Sequence, residues 1–380
     1  MKKKNAHLNI LTPFYLEEID MKICFLCYNL INGGAQRVVS VLSNELIKFH
    51  DVMIIVSQRE ENEYALDSNV EVVELKENNG RSFVERELHI IRKLRGIFRE
   101  KSPDVVISLL GYENEAYIAS RGMKLKFITS IRNSPWSSPA KPYKRMIRNL
   151  MVSLSDACMV QNKGQLEYFP KWMHSKLFVV PNPVDDAYLK ATKYPHESIR
   201  KIVTLGRLRE QKNHKLLIAA FGDIIPQIDK NVVLDIYGNG PLREQLQKQV
   251  EVSGLAERVQ IKPFSTDALS VYRNADLFVL SSNFEGMPNA LLEAMAVGLP
   301  CISTRCKTGP EDMIINGKTG FLVPVGDRCQ LAERMLQVIS MGQEAFDIGE
   351  AAKDYVGIHN SITAVTEIFL HNISQVCKEE

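Results

Sequence analysis

Short apolar runs alternate with longer amphipathic stretches over most of the chain. The runs at 21–28 (MKICFLCY), 51–57, 70–75, 104–110, 126–131, 157–161 and 177–181 read as strands. A break follows at Asn182-Pro183-Val184-Asp185, and the alternation resumes with strands at 201–206, 232–238, 258–264, 276–282 and 300–305. Buried apolar strands spaced by helices predict parallel sheets covered on both faces. The pattern therefore predicts an α/β protein of two doubly wound domains. The expected boundaries are a tail over 1–20, a first domain over 21–183, a second over 184–359 and a last helix over 360–380. Ligands of such domains sit beyond the carboxyl ends of the strands, which puts the site in the cleft between them.

Composition narrows this little. Of 380 residues, 45% are hydrophobic, enough for more than one core. With 47 Lys+Arg against 45 Asp+Glu, the net charge of +2 makes no case for nucleic-acid binding. No run is long and apolar enough for a spanning helix or a signal peptide, so a cytoplasmic protein is expected. The seven cysteines are scattered. Cys24-x-x-Cys27 imitates a redox or zinc motif, but it lies in an apolar strand, where residues three apart face opposite sides; core packing is the expectation.

The common nucleotide fingerprints fail. Gly238-Asn239-Gly240 follows a strand, but the third glycine of a dinucleotide loop is replaced by Arg243. Gly317-Lys318-Thr319 ends like a P-loop, yet Asp312 stands where its first glycine belongs. No His, Cys or carboxylate set has metal-ligand spacing, so no metal and no other cofactor is expected.

The stretch EGMPNALLEAMAVGLP, 285–300, places Glu285 and Glu293 in an otherwise apolar segment. Gly286 permits unusual backbone angles and close approach of a ligand. Pro288 suits a first helical residue, leaving the amides of Asn289, Ala290 and Leu291 free to meet an anion. Glu293 lies roughly 7.5 Å further along the helix axis. Strand 201–206 runs into Gly206-Arg207 and on to Lys212, so Arg207 and Lys212 sit just past a strand end. A sugar nucleotide laid across the helix start uses all of these. Its diphosphate meets the amides, Arg207 and Lys212, while the carboxylates accept from ribose and sugar hydroxyls.

At these residues the sequence resembles glycosyltransferase family 4, the retaining, metal-independent enzymes of GT-B fold, in particular bacterial members that build surface polysaccharides. The resemblance rests on Glu285-x7-Glu293 with Gly286, Gly206-Arg207, Gln211-Lys212-Asn213-His214 and Tyr237-Gly238-Asn239-Gly240-Pro241-Leu242. Gly298-Leu299-Pro300, Gly309-Pro310-Glu311, Asn316-Gly317-x-x-Gly320 and Gly33-Gly34-Ala35-Gln36-Arg37 also fit. It implies two Rossmann-like domains facing a central cleft, with the last helix returning to the N-terminal domain. It implies a UDP-sugar donor, with Arg207 and Lys212 on the diphosphate and Glu293 on the ribose. Glu285, with Gly286, Met287, Pro288 and Asn289, holds the sugar and β-phosphate; Pro263 and Phe264 cover the base; Gly33, Gly34, Gly206 and Asn239 belong to the same donor site. Glu285, Arg207 and Lys212 carry catalysis. The family's frequent N-terminal histidine is absent, since the loop after the fourth strand reads Leu110-Gly111-Tyr112-Glu113-Asn114-Glu115.

The acceptor belongs to the N-terminal half. Glu113, Asn114, Arg132 and Asn133 end strands there, and the basic segment 141–151 adds Lys144, Arg145 and Arg148. That segment suits either anionic lipid or a lipid diphosphate, or else the charged outer face of a packed helix, which is also the reading of the basic segment 81–101. The expected reaction moves a hexose or N-acetylhexosamine to a polyprenyl-diphosphate-linked glycan at the inner membrane face. A UDP-sugar epimerase, a phosphorylase or a non-catalytic sugar-nucleotide-binding subunit remain the alternatives.

Overall fold

The computed structural model describes residues 20–31, 33–61, 63–76, 82–192 and 198–378. The expected tail, except Asp20, lies outside them. Seven parallel strands form the first sheet: β1 (Lys22–Cys27), β2 (Asp51–Val56), β3 (Glu71–Glu74), β4 (Val105–Leu110), β5 (Lys126–Ile131), β6 (Ala157–Val160) and β7 (Leu177–Val179), in the order β3-β2-β1-β4-β5-β6-β7. Six parallel strands form the second: β8 (Lys201–Leu205), β9 (Val233–Tyr237), β10 (Val259–Lys262), β11 (Leu277–Leu280), β12 (Cys301–Thr304) and β13 (Phe321–Val323), in the order β10-β9-β8-β11-β12-β13. The strand over 321–323 has no counterpart in the sequence reading. It has three residues between Gly320 and Pro324, too few to register as an apolar run.

Each sheet reverses its strand order once, at β1/β4 and at β8/β11. The crevice that such a reversal opens lies beyond the carboxyl ends of those strands. The loops after β1, β4, β8 and β11 are among those singled out by the sequence, which also marked the loops after β5, β9 and β10. Central strands such as β1 are buried at every position after the first because helices cover both faces. Cys24 and Cys27 are buried free thiols that pack into cores on opposite faces of the first sheet.

The two halves are joined twice, side by side. Val184 forms a parallel bridge with Ser361, its amide donates to the Asn360 carbonyl at 2.8 Å, and Asn360 Nδ2 donates to the Asn182 carbonyl at 3.0 Å. The helix Ile362–Lys378 then crosses back. Its Val365, Phe369, Leu370 and Ile373 sit in the core of the first sheet, with the Phe369 ring 5.9 Å from that of Phe25.

Candidate active site

The second sheet builds its half of the site from touching loops. Gly206 N donates to Tyr237 O at 3.0 Å and Leu208 N to Asn239 O at 2.9 Å. A Cβ on Gly238 would lie 1.9 Å from Gly206 O, and one on Gly240 2.4 Å from Leu208 O. These glycines therefore serve loop-to-loop packing, which accounts for a Gly-Asn-Gly that is no dinucleotide loop. Beside them the His214 side chain is buried, and burial together with Lys212 pushes its pKa down to about 4.

Glu285 is 5% exposed, and every part of it is held. Lys212 Nζ lies 2.6 Å from its Oε1, Ser282 Oγ donates to the same oxygen at 2.5 Å, Gln211 Nε2 reaches Oε2 at 3.4 Å, and Thr308 Oγ1 donates to its carbonyl. Arg207 stands exposed on the rim of the cleft.

The helix start differs from expectation in one position. Pro288 is the N-cap, and the helix runs Asn289–Ala296. The Leu291 amide turns inward to the Pro288 carbonyl at 3.1 Å, so Asn289 and Ala290 alone of the three expected amides remain outside the helical ladder. Gly286 also serves another purpose than ligand approach. A Cβ there would lie 2.4 Å from Gln161 Oε1, 2.7 Å from Asn133 Cα and 2.9 Å from Arg132 O, all from the opposite half. The residue is small because the other domain's backbone rests on it. Its carbonyl accepts from Asn162 Nδ2 at 2.7 Å.

Further contacts cross the cleft at the same level. Asn182 Nδ2 donates to Met287 O at 3.1 Å and to Asn289 Oδ1 at 2.5 Å, and Asn289 Nδ2 donates to Gly34 O at 3.3 Å. Glu293, 8% exposed, pairs with Arg37 and accepts from Tyr272 Oη at 3.2 Å. Burial pushes the Glu293 carboxyl above its ordinary pKa, opposed by Arg37 and Tyr272. Arg37 also lies 5.0 Å from the centre of the Tyr188 ring. Arg37 and Asn182 are residues to which the sequence reading gave no role. Arg37 closes the glycine motif after β1, and Asn182 opens the break between the two halves.

One cleft of about 1630 Å³ gathers most of the predicted residues. Of the residues expected to bind the donor, Gly33, Gly34, Gly206, Arg207, Lys212, Asn239, Phe264, Glu285, Met287, Pro288, Asn289 and Glu293 line it. Of those expected on the acceptor side, Glu113, Asn114, Arg132, Asn133, Lys144 and Arg148 line it too, all from the first domain. Pro263, Gly286 and Arg145 are not part of the lining. Arg145 donates to the carbonyls of Pro139 and Ala140, and Arg148 to those of Pro135 and Ser138, so both brace the loop before their helix. Glu113 Oε1 accepts from Gly111 N at 3.2 Å. In the helix Phe83–Lys101, Lys93 donates to the Leu75 carbonyl and Arg95 to those of Ala119 and Arg121, at the end of a neighbouring helix, while Ile90, Leu94 and Phe98 pack into the core. Among the described residues no group of three or more His, Cys, Asp and Glu side chains converges as metal ligands do, and no helix is long and apolar enough to cross a membrane.

Comparison with known proteins agrees with this geometry. The Glycosyltransferase Family 4 model matches residues 32–188 and the Glycosyl transferases group 1 model matches 190–355. The chain is 27% identical over 325 residues to a Campylobacter jejuni subsp. jejuni serotype O:2 enzyme named GalNAc-alpha-(1->4)-GalNAc-alpha-(1->3)-diNAcBac-PP-undecaprenol alpha-1,4-N-acetyl-D-galactosaminyltransferase, covering 84% of this chain and 89% of the relative. It is 24% identical over 320 residues to the N-acetylgalactosamine-N,N'-diacetylbacillosaminyl-diphospho-undecaprenol 4-alpha-N-acetylgalactosaminyltransferase of the same organism, covering 80% of this chain and 86% of that one. Anabaena HepE, solved with UDP and glucose, superimposes with a TM-score of 0.77 at 16% identity, over 93% of this chain and all of that one. The two model matches take in nearly the whole chain between residues 32 and 355, one on each side of the cleft, and with the paired sheets they make this protein a GT-B glycosyltransferase of family 4.

Proposed function

We propose that the protein is a retaining transferase that moves a hexose or N-acetylhexosamine from a UDP-sugar to a polyprenyl-diphosphate-linked glycan during surface polysaccharide synthesis. The observation that carries this reading is the buried Lys212–Glu285 pair at the β8/β11 crevice, beside Arg207 and the helix start. Arg207, Lys212 and the amides of Asn289 and Ala290 stabilise the charge that grows on the diphosphate as the anomeric C–O bond breaks. Glu285 takes the sugar hydroxyls, and Glu293, held by Arg37 and Tyr272, takes those of the ribose. The acceptor hydroxyl attacks from the face the diphosphate leaves. Its oxygen forms the new glycosidic bond, and its proton passes to a phosphate oxygen of the departing UDP.

The acceptor side faces a membrane in this proposal. On the helix Pro142–Leu154, Tyr143, Met146, Ile147, Leu150 and Leu154 are exposed, Met146 at 71%, beside Lys141 and Lys144. An apolar stripe edged with lysines suits shallow insertion into an anionic leaflet. The test is a donor screen with EDTA present, following nucleotide release with and without lipid-linked acceptor extract. Acceptor-dependent UDP release from one sugar nucleotide is the expected result. A requirement for Mg²⁺, or isomerised donor without free UDP, overturns the reading. Cosedimentation with anionic vesicles at low salt, lost in Met146→Glu/Leu150→Glu, tests the membrane contact.

A further inference from the structure

The wall opposite the donor side contains a cation with no anion. Arg132 follows the end of β5, and Ser130 lies two residues before it, on the same face of the sheet. Both line the cleft. The Arg132 guanidinium makes one bond, from Nη2 to Asn182 Oδ1 at 2.5 Å. Its Nε and Nη1 are buried without a hydrogen-bond partner, and so is Ser130 Oγ. Among the described residues no carboxylate lies within ion-pair distance of Arg132. Burial alone pushes its pKa down to about 10, so it stays charged at neutral pH. A buried charge without a partner is costly, and folded proteins rarely keep one unless something else supplies the counter-charge. Arg37, similarly placed on the cleft wall, has Glu293 for that purpose.

We propose that Ser130 and Arg132 form an oxyanion subsite that receives a phosphate group of the acceptor. The donor's phosphates have their own cations, Arg207 and Lys212, on the other sheet. Arg132 belongs to the first sheet, and its carbonyl would be 2.9 Å from a Cβ on Gly286, the residue after Glu285. The subsite therefore lies between the reacting sugar and the lysine-edged helix. Two guanidinium N–H groups and a hydroxyl match a phosphate oxygen pair, and shielding from bulk water strengthens the contact. Arg132 reaches the phosphate by turning about its single bond to Asn182. Placement this close to Glu285 makes the enzyme selective for acceptors whose phosphate is near the hydroxyl that is glycosylated, meaning a short lipid-linked saccharide. The inference rests on the acceptor reading above only for the source of the phosphate.

Binding tests it without turnover. Inorganic phosphate and methylenediphosphonate are titrated into protein saturated with UDP, and UDP is titrated separately. Arg132→Gln and Ser130→Ala are expected to weaken phosphate binding, the first by tenfold or more, and to leave UDP affinity within twofold. Arg132→Gln is also expected to raise Tm, because it removes an unpaired buried charge while retaining a donor for Asn182. Unchanged phosphate binding in both variants, or a lowered Tm showing that Arg132 is a structural brace, overturns the proposal. Weakened UDP binding instead assigns the oxyanion to the donor and overturns the acceptor assignment. A failed donor screen leaves these titrations readable.

Discussion

Replacing Gly286 by alanine should part the two domains rather than unfold either. The new methyl would meet Gln161 Oε1 at 2.4 Å, Asn133 Cα at 2.7 Å and Arg132 O at 2.9 Å. The first neighbour can rotate away. The other two are backbone at the end of β5 and cannot. Overpacking of this kind costs about 1–3 kcal/mol. Both domains have complete cores without this contact, so the strain is relieved most readily by a small opening of the cleft. Opening also lengthens the Asn162 bond to the Gly286 carbonyl and the Asn182 bonds to Met287 and Asn289. If the closed form is the reactive one, transfer falls by the same free energy, about 5- to 150-fold in kcat/KM. Tm should stay within a few degrees of wild type. The assay is steady-state UDP release with the donor found by the screen, together with a thermal scan. Wild-type kcat/KM in Gly286→Ala refutes the argument, and so does a collapse in Tm that matches the loss of activity.

Gly238→Ala should act oppositely, destabilising the second domain by about 3 kcal/mol because the clash at 1.9 Å is with a carbonyl inside one domain; denaturant titration reads this. Tyr272→Phe removes the hydroxyl that donates to Glu293 and to the Ala290 carbonyl, and should lower stability by about 1 kcal/mol and weaken UDP binding, measured calorimetrically. His214 makes stability pH-dependent: its folded pKa of about 4 lies below the ordinary value of about 6.5, so between those pH values the unfolded chain holds more of the proton. Its contribution is complete above about pH 6.5, falls by about 1.4 kcal/mol per pH unit on acidification, and is lost by about pH 4. The difference in denaturant midpoint between wild type and His214→Leu, followed from pH 7 to pH 4, should shrink accordingly.

The strands were readable because a parallel sheet buried on both faces writes itself as continuous apolar runs. β13 was not, because three residues carry no period. The candidate site was readable where a single loop carries its own chemical signal, as at Lys212 after β8 and at Glu285 after β11. What the sequence concealed is what needs two distant segments. The Glu293–Arg37 pair joins residues 256 apart, and the Asn182–Asn289 bond joins residues 107 apart. Gly286 illustrates the limit, since a glycine in a loop announces a close approach without saying which atoms approach. Arg145 and Arg148 show the reverse case, cations that suggest an anion site although loop carbonyls hold both, with the Asn149 side chain and the Tyr168 ring also holding Arg148.

The returning helix has a consequence for synthesis. The first sheet's core includes Val365, Phe369, Leu370 and Ile373, which come after the whole second sheet in the chain. Domains usually complete themselves from the N-terminus onward as the chain emerges. Here the half made first must wait until the second half and the returning helix have been made, while the second half can close before that helix emerges. Until the helix arrives, an apolar strip of the first domain stays uncovered, so a chain stalled before it would carry a finished second domain tethered to an unfinished and aggregation-prone partner.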